Sequence, residues 1–347
     1  MTGPRTNRQI RLASRPERAI TPANWQHTTE TAPPVAEGGV LVQTLLLSLD
    51  PAMRGWMNEN ATYIAPVEIG AVMRAGGIGR VVESSNDRFA VGDIVYGKLG
   101  AQEYAYVPQG DPQQVGLTKV DLRLGGMSQW LNVLGLPGMT AYFGLLDIGQ
   151  PQPGQTVVVS GAAGAVGQTV GQLAKIAGAR AVGIAGGPEK CAWVVNELGF
   201  DACIDYKAGP LAVREGLKTH CPNGVDVYFD NVGGDILDAV LARLAFKARI
   251  IVCGAISQYN NPQSVPDTGP RNYLSLLIQR ARMEGMVVFD YTPRFGEAID
   301  YLSAQLAQGK LKSREEIVEG GIDMFPEALD MLFAGRNFGK LALHIAD

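Results

Sequence analysis

The chain is poor in the residues that build metal and disulfide frameworks. Its 347 residues include only four cysteines and three histidines. Cys191, Cys203, Cys221 and Cys253 all lie in the second half and form no C-x-x-C pair. That excludes a zinc knuckle or disulfide scaffold and points to inert thiols in a reducing compartment. His27, His220 and His344 are scattered, with no H-x-x-x-H spacing, so no metal site is expected. There is no strong charge bias either. Lys plus Arg is 30 against 34 Asp plus Glu, a net charge of −4, which gives no sign of a nucleic-acid or membrane-surface partner. Long apolar runs are missing too. The greasiest stretch, Val40 to Leu49, is about half a membrane span and carries Gln43, Thr44 and Ser48. The basic start (Arg5, Arg8, Arg11, Arg15, Arg18) leads into no apolar segment, which argues against a secretory signal and for a cytoplasmic protein. Hydrolytic chemistry has no carrier: there is no G-x-S-x-G elbow and no distinctive carboxylate pair.

What the chain has in quantity is glycine, at 43 residues, with 46% hydrophobic and 18% charged residues. This is the makeup of a well-buried α/β enzyme. At roughly 150 residues per domain, the length suggests two domains. The first 130 residues read as short strands with glycine corners: Val40 to Leu49, Gly79 to Val82, Ile94 to Tyr96 and Glu103 to Val107. Such a pattern fits a small antiparallel barrel. After Trp130 the texture changes to strand–helix alternation. Strands are expected at Thr156–Ser160, Ala181–Ala185, Ala202–Asp205, Val225–Phe229, Arg249–Cys253 and Met283–Phe289. Helices are expected at Ala165–Ala177, at Lys190–Leu198, and along Ile236, Leu237, Val240, Leu241 and Leu244. Two more follow, through Phe295, Ile299, Leu302 and Leu306 and through Phe325, Leu329 and Leu332. The alternation means a doubly wound parallel sheet of the Rossmann type. A last strand, Leu341–Ile345, looks like a return to the first domain, which makes the α/β domain an insertion within a β-rich one.

The sharpest local signal is the apolar strand Thr156–Ser160 running into Gly161-Ala-Ala-Gly164-Ala-Val-Gly167 and a helix. This is the setting that a dinucleotide fingerprint requires. Gly164 lets backbone approach a pyrophosphate, Gly167 lets the helix pack on the strand, and the helix N-terminus offers N–H groups to the phosphates. The expected contacts are Ala163, Gly164, Ala165, Val166 and Gly167. The second strand then ends Ile184-Ala185-Gly186-Gly187 with no carboxylate at its tip, and Lys190 follows. An empty tip beside a cation suits the 2′-phosphate of NADP(H) rather than NAD(H).

Longer motifs extend this reading. They are Asn7-Arg8-Gln9-Ile10, Leu49-Asp50-Pro51-Ala52-Met53-Arg54, Leu136-Pro137-Gly138-Met139-Thr140-Ala141-Tyr142, Phe229-Asp230-Asn231-Val232-Gly233-Gly234, Cys253-Gly254-Ala255-Ile256-Ser257-Gln258-Tyr259-Asn260 and Asn337-Phe338-Gly339-Lys340. With the glycine turn, these make the chain resemble the zinc-independent medium-chain dehydrogenases/reductases. The group in question contains leukotriene hydroxydehydrogenase/prostaglandin reductase, alkenal double-bond reductase and bacterial curcumin reductase. The resemblance implies a GroES-like substrate domain over residues 1–133 and 312–347, and an NADP-binding Rossmann domain over 134–311. It implies an active site in the cleft between them, a homodimer and a small unsaturated carbonyl substrate. It places Gly187, Lys190 and Tyr206 at the adenosine end of the cofactor. Thr140, Asn231, Cys253, Gly254, Ala255, Ile256, Ser257, Met286, Val287, Val288 and Asn337 would line the rest, with Met53 and Arg54 reaching it from the other domain. Many relatives carry Tyr where this chain has Ala52, which is expected to reshape the pocket. The zinc-dependent branch takes a Cys and a Gly-His-Glu pair from the first domain. Here no Cys precedes Cys191 and the only early His is His27.

A site without a metal suits reduction of a C=C bond conjugated to a carbonyl. Hydride from the nicotinamide attacks the β-carbon, and charge collects on the carbonyl oxygen, where a donor must wait. A phenol is such a donor, neutral near pH 7. Tyr259, just past a strand end, is the expected one, with Tyr63 as a second phenol. Two other functions stay open: NADPH:quinone reduction and non-catalytic NADPH binding.

Overall fold

The computed structural model describes residues 5–110, 116–262 and 269–347. It divides into two compact units, Met1–Leu131 with Glu315–Asp347, and Asn132–Arg314.

The first unit opens with a hairpin in which β1 (Thr6–Leu12) runs antiparallel to β2 (Trp25–Thr31), Leu12 opposite Trp25. A separate sheet is organised on β3 (Val40–Ser48), the apolar run seen in the sequence, which is buried at every position but Gln43. β3 pairs antiparallel with β4 (Gly77–Ser84) along one edge. β5 (Ile94–Gly97) and β7 (Thr118–Lys119) extend that side, and β6 (Tyr104–Val107) takes the first half of the other edge. Val42, Val81, Val95, Leu99 and Ala105 form the core between these strands.

The second unit is a six-stranded parallel sheet. Its strands are β8 (Thr156–Ser160), β9 (Arg180–Ala185), β10 (Ala202–Asp205), β11 (Val225–Asp230), β12 (Leu244–Val252) and β13 (Arg282–Gly285). Their order is β10-β9-β8-β11-β12-β13. In chain order this is 3-2-1-4-5-6, the doubly wound arrangement whose strand order reverses between β8 and β11. At that switch point the ends of neighbouring strands diverge, and ligands bind there. Val157, Val158 and Val159 in β8 are fully buried, as helices on both faces require. The chain then returns to the first unit. β14 (Glu315–Val318) pairs parallel with β15 (Lys340–His344), and β15 completes the edge of β3, Ala342 opposite Ser48.

Three local expectations change. Leu244, read as part of a helix, is the first residue of β12 opposite Val225; the helix Gly234–Leu241 ends at Ala242, and the sheet ladder outweighs the continued apolar spacing. The strand expected over Met283–Phe289 stops at Gly285, and Val288–Arg294 is a 3-10 turn containing Pro293. The helices Leu136–Phe143 and Ala212–His220 lie where the sequence reading set no element. Among the described residues, no helix is long and apolar enough to cross a membrane.

Candidate active site

The glycine turn sits at the switch point. β8 ends at Ser160, Gly161 turns with φ +63°, and the helix Ala165–Ile176 starts at Gly164 with no side chain capping it. Uncapped first-turn N–H groups and the helix dipole make this end an anion site. A Cβ on Gly167 would stand 2.2 Å from the Gly161 carbonyl oxygen. Only glycine permits the helix to lie so close on the turn. The local structure therefore fits a pyrophosphate resting on backbone.

The tip of β9 carries the second group. Gly187 has φ +99° and precedes the helix Pro188–Asn196, which places Lys190, half-buried, in its first turn. Tyr206 follows β10 directly, and its ring lies against Gly186. The ammonium of Lys207 is 6.0 Å from that ring's centroid. Lys207 is thus a second cation beside Tyr206 that sequence reasoning missed; its adjacency to Tyr206 was the available signal. Asp205 was missed as well. Its Oδ1 accepts from the N–H groups of Gly187 (2.7 Å) and Lys207 (2.9 Å). This carboxylate holds the strip together through backbone, and the nearby cations leave the strip suited to a phosphate.

On the other side of the switch point, β11 ends in Asp230, which is almost wholly buried. Its Oδ1 accepts from Ser160 Oγ (3.0 Å), the Tyr228 hydroxyl (2.8 Å) and the N–H groups of Val232 (3.0 Å) and Gly233 (2.9 Å). Burial raises its pKa even against these donors. Asn231 is tied to the glycine turn: its N–H donates to Ser160 Oγ (2.9 Å) and its Nδ2 to the Ser160 carbonyl (2.7 Å).

The loop after β12 is stitched to this turn. The N–H groups of Cys253 and Gly254 donate to the Asp230 carbonyl at 2.9 and 3.0 Å. Ser257 donates to the Val232 carbonyl from both N–H (3.2 Å) and Oγ (2.6 Å). Burial pushes the Cys253 thiol up to about 12, so it stays protonated at neutral pH. Tyr259 closes the loop: the N–H of Ala255 donates to its phenol oxygen at 3.2 Å. That oxygen lies where a Cβ on Gly254 would come within 2.9 Å, so the ring's position depends on glycine there. A phenol that accepts an N–H bond is polarised and becomes a better donor through its own O–H. Met286, just past β13, is buried and donates its N–H to the Val252 carbonyl (3.1 Å), which sets Met286–Val288 beside the root of the same loop. Among the described residues, the buried Oδ1 of Asn260 has no hydrogen-bond partner.

Other expected contacts serve local structure. Thr140 Oγ1 donates to the Leu136 carbonyl (2.7 Å) within its helix. In the first unit, Met53 is fully buried in a core with Ile10, Leu12, Leu47 and Phe325. Arg54 is 1% exposed and donates to the carbonyls of Pro16 (3.0 Å) and Arg18 (2.8 Å). Asn337 is buried, its Nδ2 donating to the Gly339 carbonyl (3.0 Å). Met53 and Arg54, which the resemblance placed near the cofactor, are buried within their own unit on the face that the short helix Ala52–Trp56 presents to the core. Ala52 opens this helix and is partly exposed. Tyr63 is 55% exposed on the segment that follows, with Arg74 within electrostatic reach. Two motifs quoted from the sequence meet here: buried Lys340 donates to the Leu49 carbonyl and to Asp50 Oδ1, both at 2.7 Å.

Residues 8–115 match the family described as the N-terminal domain of oxidoreductase, and residues 165–304 the family described as zinc-binding dehydrogenase. The chain is 43% identical to the NADPH-dependent curcumin reductase of Escherichia coli (strain K12), over 98% of this chain and 97% of that one. The chain belongs to the medium-chain dehydrogenase/reductase superfamily. It is also 39% identical to the NADP(+)-dependent 2-alkenal reductase of Nicotiana tabacum, over 90% of this chain and 89% of the relative. The crystal structure of CurA from Vibrio vulnificus in complex with NADPH superposes with a TM-score of 0.90 at 42% identity, covering 98% of this chain and 99% of that one. The second family's description mentions zinc, and the residues that could ligate one are sparse in the first part of this sequence. His27 is the only His, and Cys is absent, in the first 190 residues; His27 Nδ1 lies 3.4 Å from Asp323. Among the described residues, no three His, Cys, Asp or Glu side chains gather as metal ligands.

Proposed function

We propose that this medium-chain reductase uses NADPH to reduce the C=C bond of α,β-unsaturated ketones and aldehydes. The observation that carries the reading is Tyr259, a phenol fixed by the Ala255 N–H on the loop after β12, which is hydrogen-bonded to the turn after β11 beside the switch point. Relatives near 40% identity over almost the whole chain, named for curcumin and 2-alkenal reduction, support the substrate class.

Bound NADPH supplies the hydride. The chain's own residues do the rest. Ala163, Gly164, Ala165, Val166 and Gly167 hold the pyrophosphate on backbone. Gly187, Lys190 and Tyr206, joined by Lys207, take the 2′-phosphate, so the cofactor is NADPH rather than NADH. Asn231, the loop from Cys253 to Ser257, and Met286–Val288 shape the nicotinamide end. Tyr259 donates to the substrate carbonyl oxygen as negative charge grows there, the point where a placed donor lowers the barrier most. Tyr259 rather than Tyr63 is assigned this task because a backbone N–H positions its oxygen.

The protein is proposed to be a cytoplasmic homodimer. Among the described residues β13 is one edge strand of the parallel sheet, and the helix Leu274–Gln279 carries exposed Leu274, Leu277 and Ile278, with Phe246 also exposed. An unpaired edge with an apolar face alongside suits a second copy added by two-fold symmetry.

NADPH consumption tests the activity against a diarylheptanoid enone, a medium-chain alkenone, a short alkenal, a quinone and a saturated ketone. The expected result is turnover of the enones and the enal to saturated carbonyls, strongly preferring NADPH over NADH. Turnover of the quinone alone, or tight NADPH binding with no turnover, would refute the proposal.

A further inference from the structure

Two of the four thiols stand together. Cys191 lies in the first turn of the helix Pro188–Asn196, its N–H bonded to the Gly187 carbonyl (3.2 Å). Cys203 is the second residue of β10. Their sulfurs are 2.9 Å apart, and both residues are only partly buried. The other two thiols are different. Cys221 is buried in the core around Val158 and Val182, and Cys253 lies in the loop after β12.

We propose that Cys191 and Cys203 are a peroxide-oxidisable dithiol whose disulfide weakens NADPH binding. The cofactor half of this inference rests on the function proposed above; the disulfide half does not. The Cys191 thiolate attacks hydrogen peroxide: an S–O bond forms, the O–O bond breaks, and hydroxide leaves to become water. The Cys203 sulfur then attacks the Cys191 sulfenic acid. An S–S bond forms, the S–O bond breaks, the thiol proton is lost, and a second water leaves. Two thiols are oxidised by two electrons and one peroxide is reduced to two waters.

The local chemistry favours Cys191 as the attacking sulfur. The hydrogen bond from Cys203 lowers the pKa of Cys191, against its burial and the charge of Asp205, while the same bond raises that of Cys203. Reactivity follows the thiolate. Burial pushes the thiols of Cys221 and Cys253 up to about 11 and about 12, which leaves them protonated bystanders.

The consequence comes from what these cysteines adjoin. Cys191 follows Lys190, and Cys203 lies two residues before Asp205, which holds Gly187 and Lys207. An S–S bond is about 2.05 Å long, so the sulfurs must close by roughly 0.9 Å. Cysteine side-chain rotation takes up part of that closure, and whatever share falls on the helix's first turn shifts the adjacent Lys190, while a good hydrogen bond to phosphate tolerates only a few tenths of an ångström.

The test treats the intact protein with hydrogen peroxide, then maps peptides by mass and measures NADPH affinity by fluorescence. The expected result is one Cys191–Cys203 crosslinked pair, reversed by dithiothreitol. It is lost in Cys191→Ser and in Cys203→Ser and retained in Cys221→Ser. With it, NADPH binds roughly three- to tenfold more weakly, as partial loss of one charge-assisted contact predicts, and NADH binding is unchanged. Four surviving thiols, a sulfinic acid at Cys191 without a crosslink, or oxidation centred on Cys221 or Cys253 would overturn the disulfide. A crosslink that leaves NADPH affinity unchanged would overturn its coupling to the cofactor. A protein that forms the crosslink but never binds NADPH would instead refute the proposed function.

Discussion

Replacing Tyr259 with Phe separates a chemical role from a packing role. The ring keeps its place beside Gly254, while the oxygen and its O–H disappear. Two effects follow. The Ala255 N–H loses its 3.2 Å acceptor. Because the loop is only partly buried, water replaces much of that bond, and the cost sits at the low end of the usual range, about 1 kcal/mol or roughly 2–4 °C in Tm. The second effect falls on the transition state. Losing one donor aimed at a developing oxyanion costs about 10²–10³ in kcat, or about 2.7–4 kcal/mol. The donor works only as charge develops, so kcat and kcat/KM should fall together while NADPH affinity holds. Single-turnover measurement of NADPH oxidation at saturating enone reads the step directly, with Tm as the control for packing. A variant with reduced Tm and unchanged kcat would refute the reasoning and leave Tyr259 a loop brace.

Lys190→Ala should weaken NADPH by about 1.5–3 kcal/mol, roughly 10- to 150-fold, and NADH hardly at all, checked by calorimetric titration; equal losses would remove the 2′-phosphate assignment. Lys340→Met leaves Asp50 facing a buried site without its cation, and should lower unfolding stability by about 3–5 kcal/mol in denaturant titration. Acid stability should respond to Asp201. Burial pushes its carboxyl up, but Lys175 at 2.8 and 2.9 Å and the Ala181 N–H at 2.7 Å outweigh this and leave its pKa below the usual 3.8. A depressed carboxyl contributes stability above its unfolded pKa that is lost as pH falls through the folded one. Asp201→Asn should therefore flatten the stability–pH curve below about pH 4, and an unchanged acid slope would refute it.

The doubly wound sheet was legible because its strands are short apolar runs separated by helical spacing, and β8 with its glycine turn reads directly from Thr156 to Gly167. Elements whose boundaries depend on distant partners were not. Leu244 continues a helical pattern in sequence, yet pairing with Val225 draws it into β12. Phe289 lies beyond the strand expected for it because the segment toward Pro293 adopts a tight turn. Around the candidate site, the glycine turn reads from the sequence because its conformation is local to Gly161–Gly167. The burial of Met53 and Arg54 does not, since a motif does not reveal which side of a five-residue helix faces the core. The links from Lys340 to Asp50 and from Asp205 to Gly187 join segments far apart in the chain or carried on neighbouring strands, and no local pattern announces them.

The position of β15 has a consequence for how the chain is made. The unit Asn132–Arg314 is continuous, so it has all its strands once Arg314 emerges from the ribosome. The first unit does not. Its β3 keeps part of an edge unpaired, and Asp50 stays without its cation, until Lys340–His344 has been synthesised. Throughout elongation of the inserted unit, roughly ten seconds or more at ribosomal speed, β3 therefore presents an apolar, hydrogen-bond-hungry edge. Of the two units, the one whose synthesis starts earlier is the one completed later, and chaperone demand during synthesis should concentrate there.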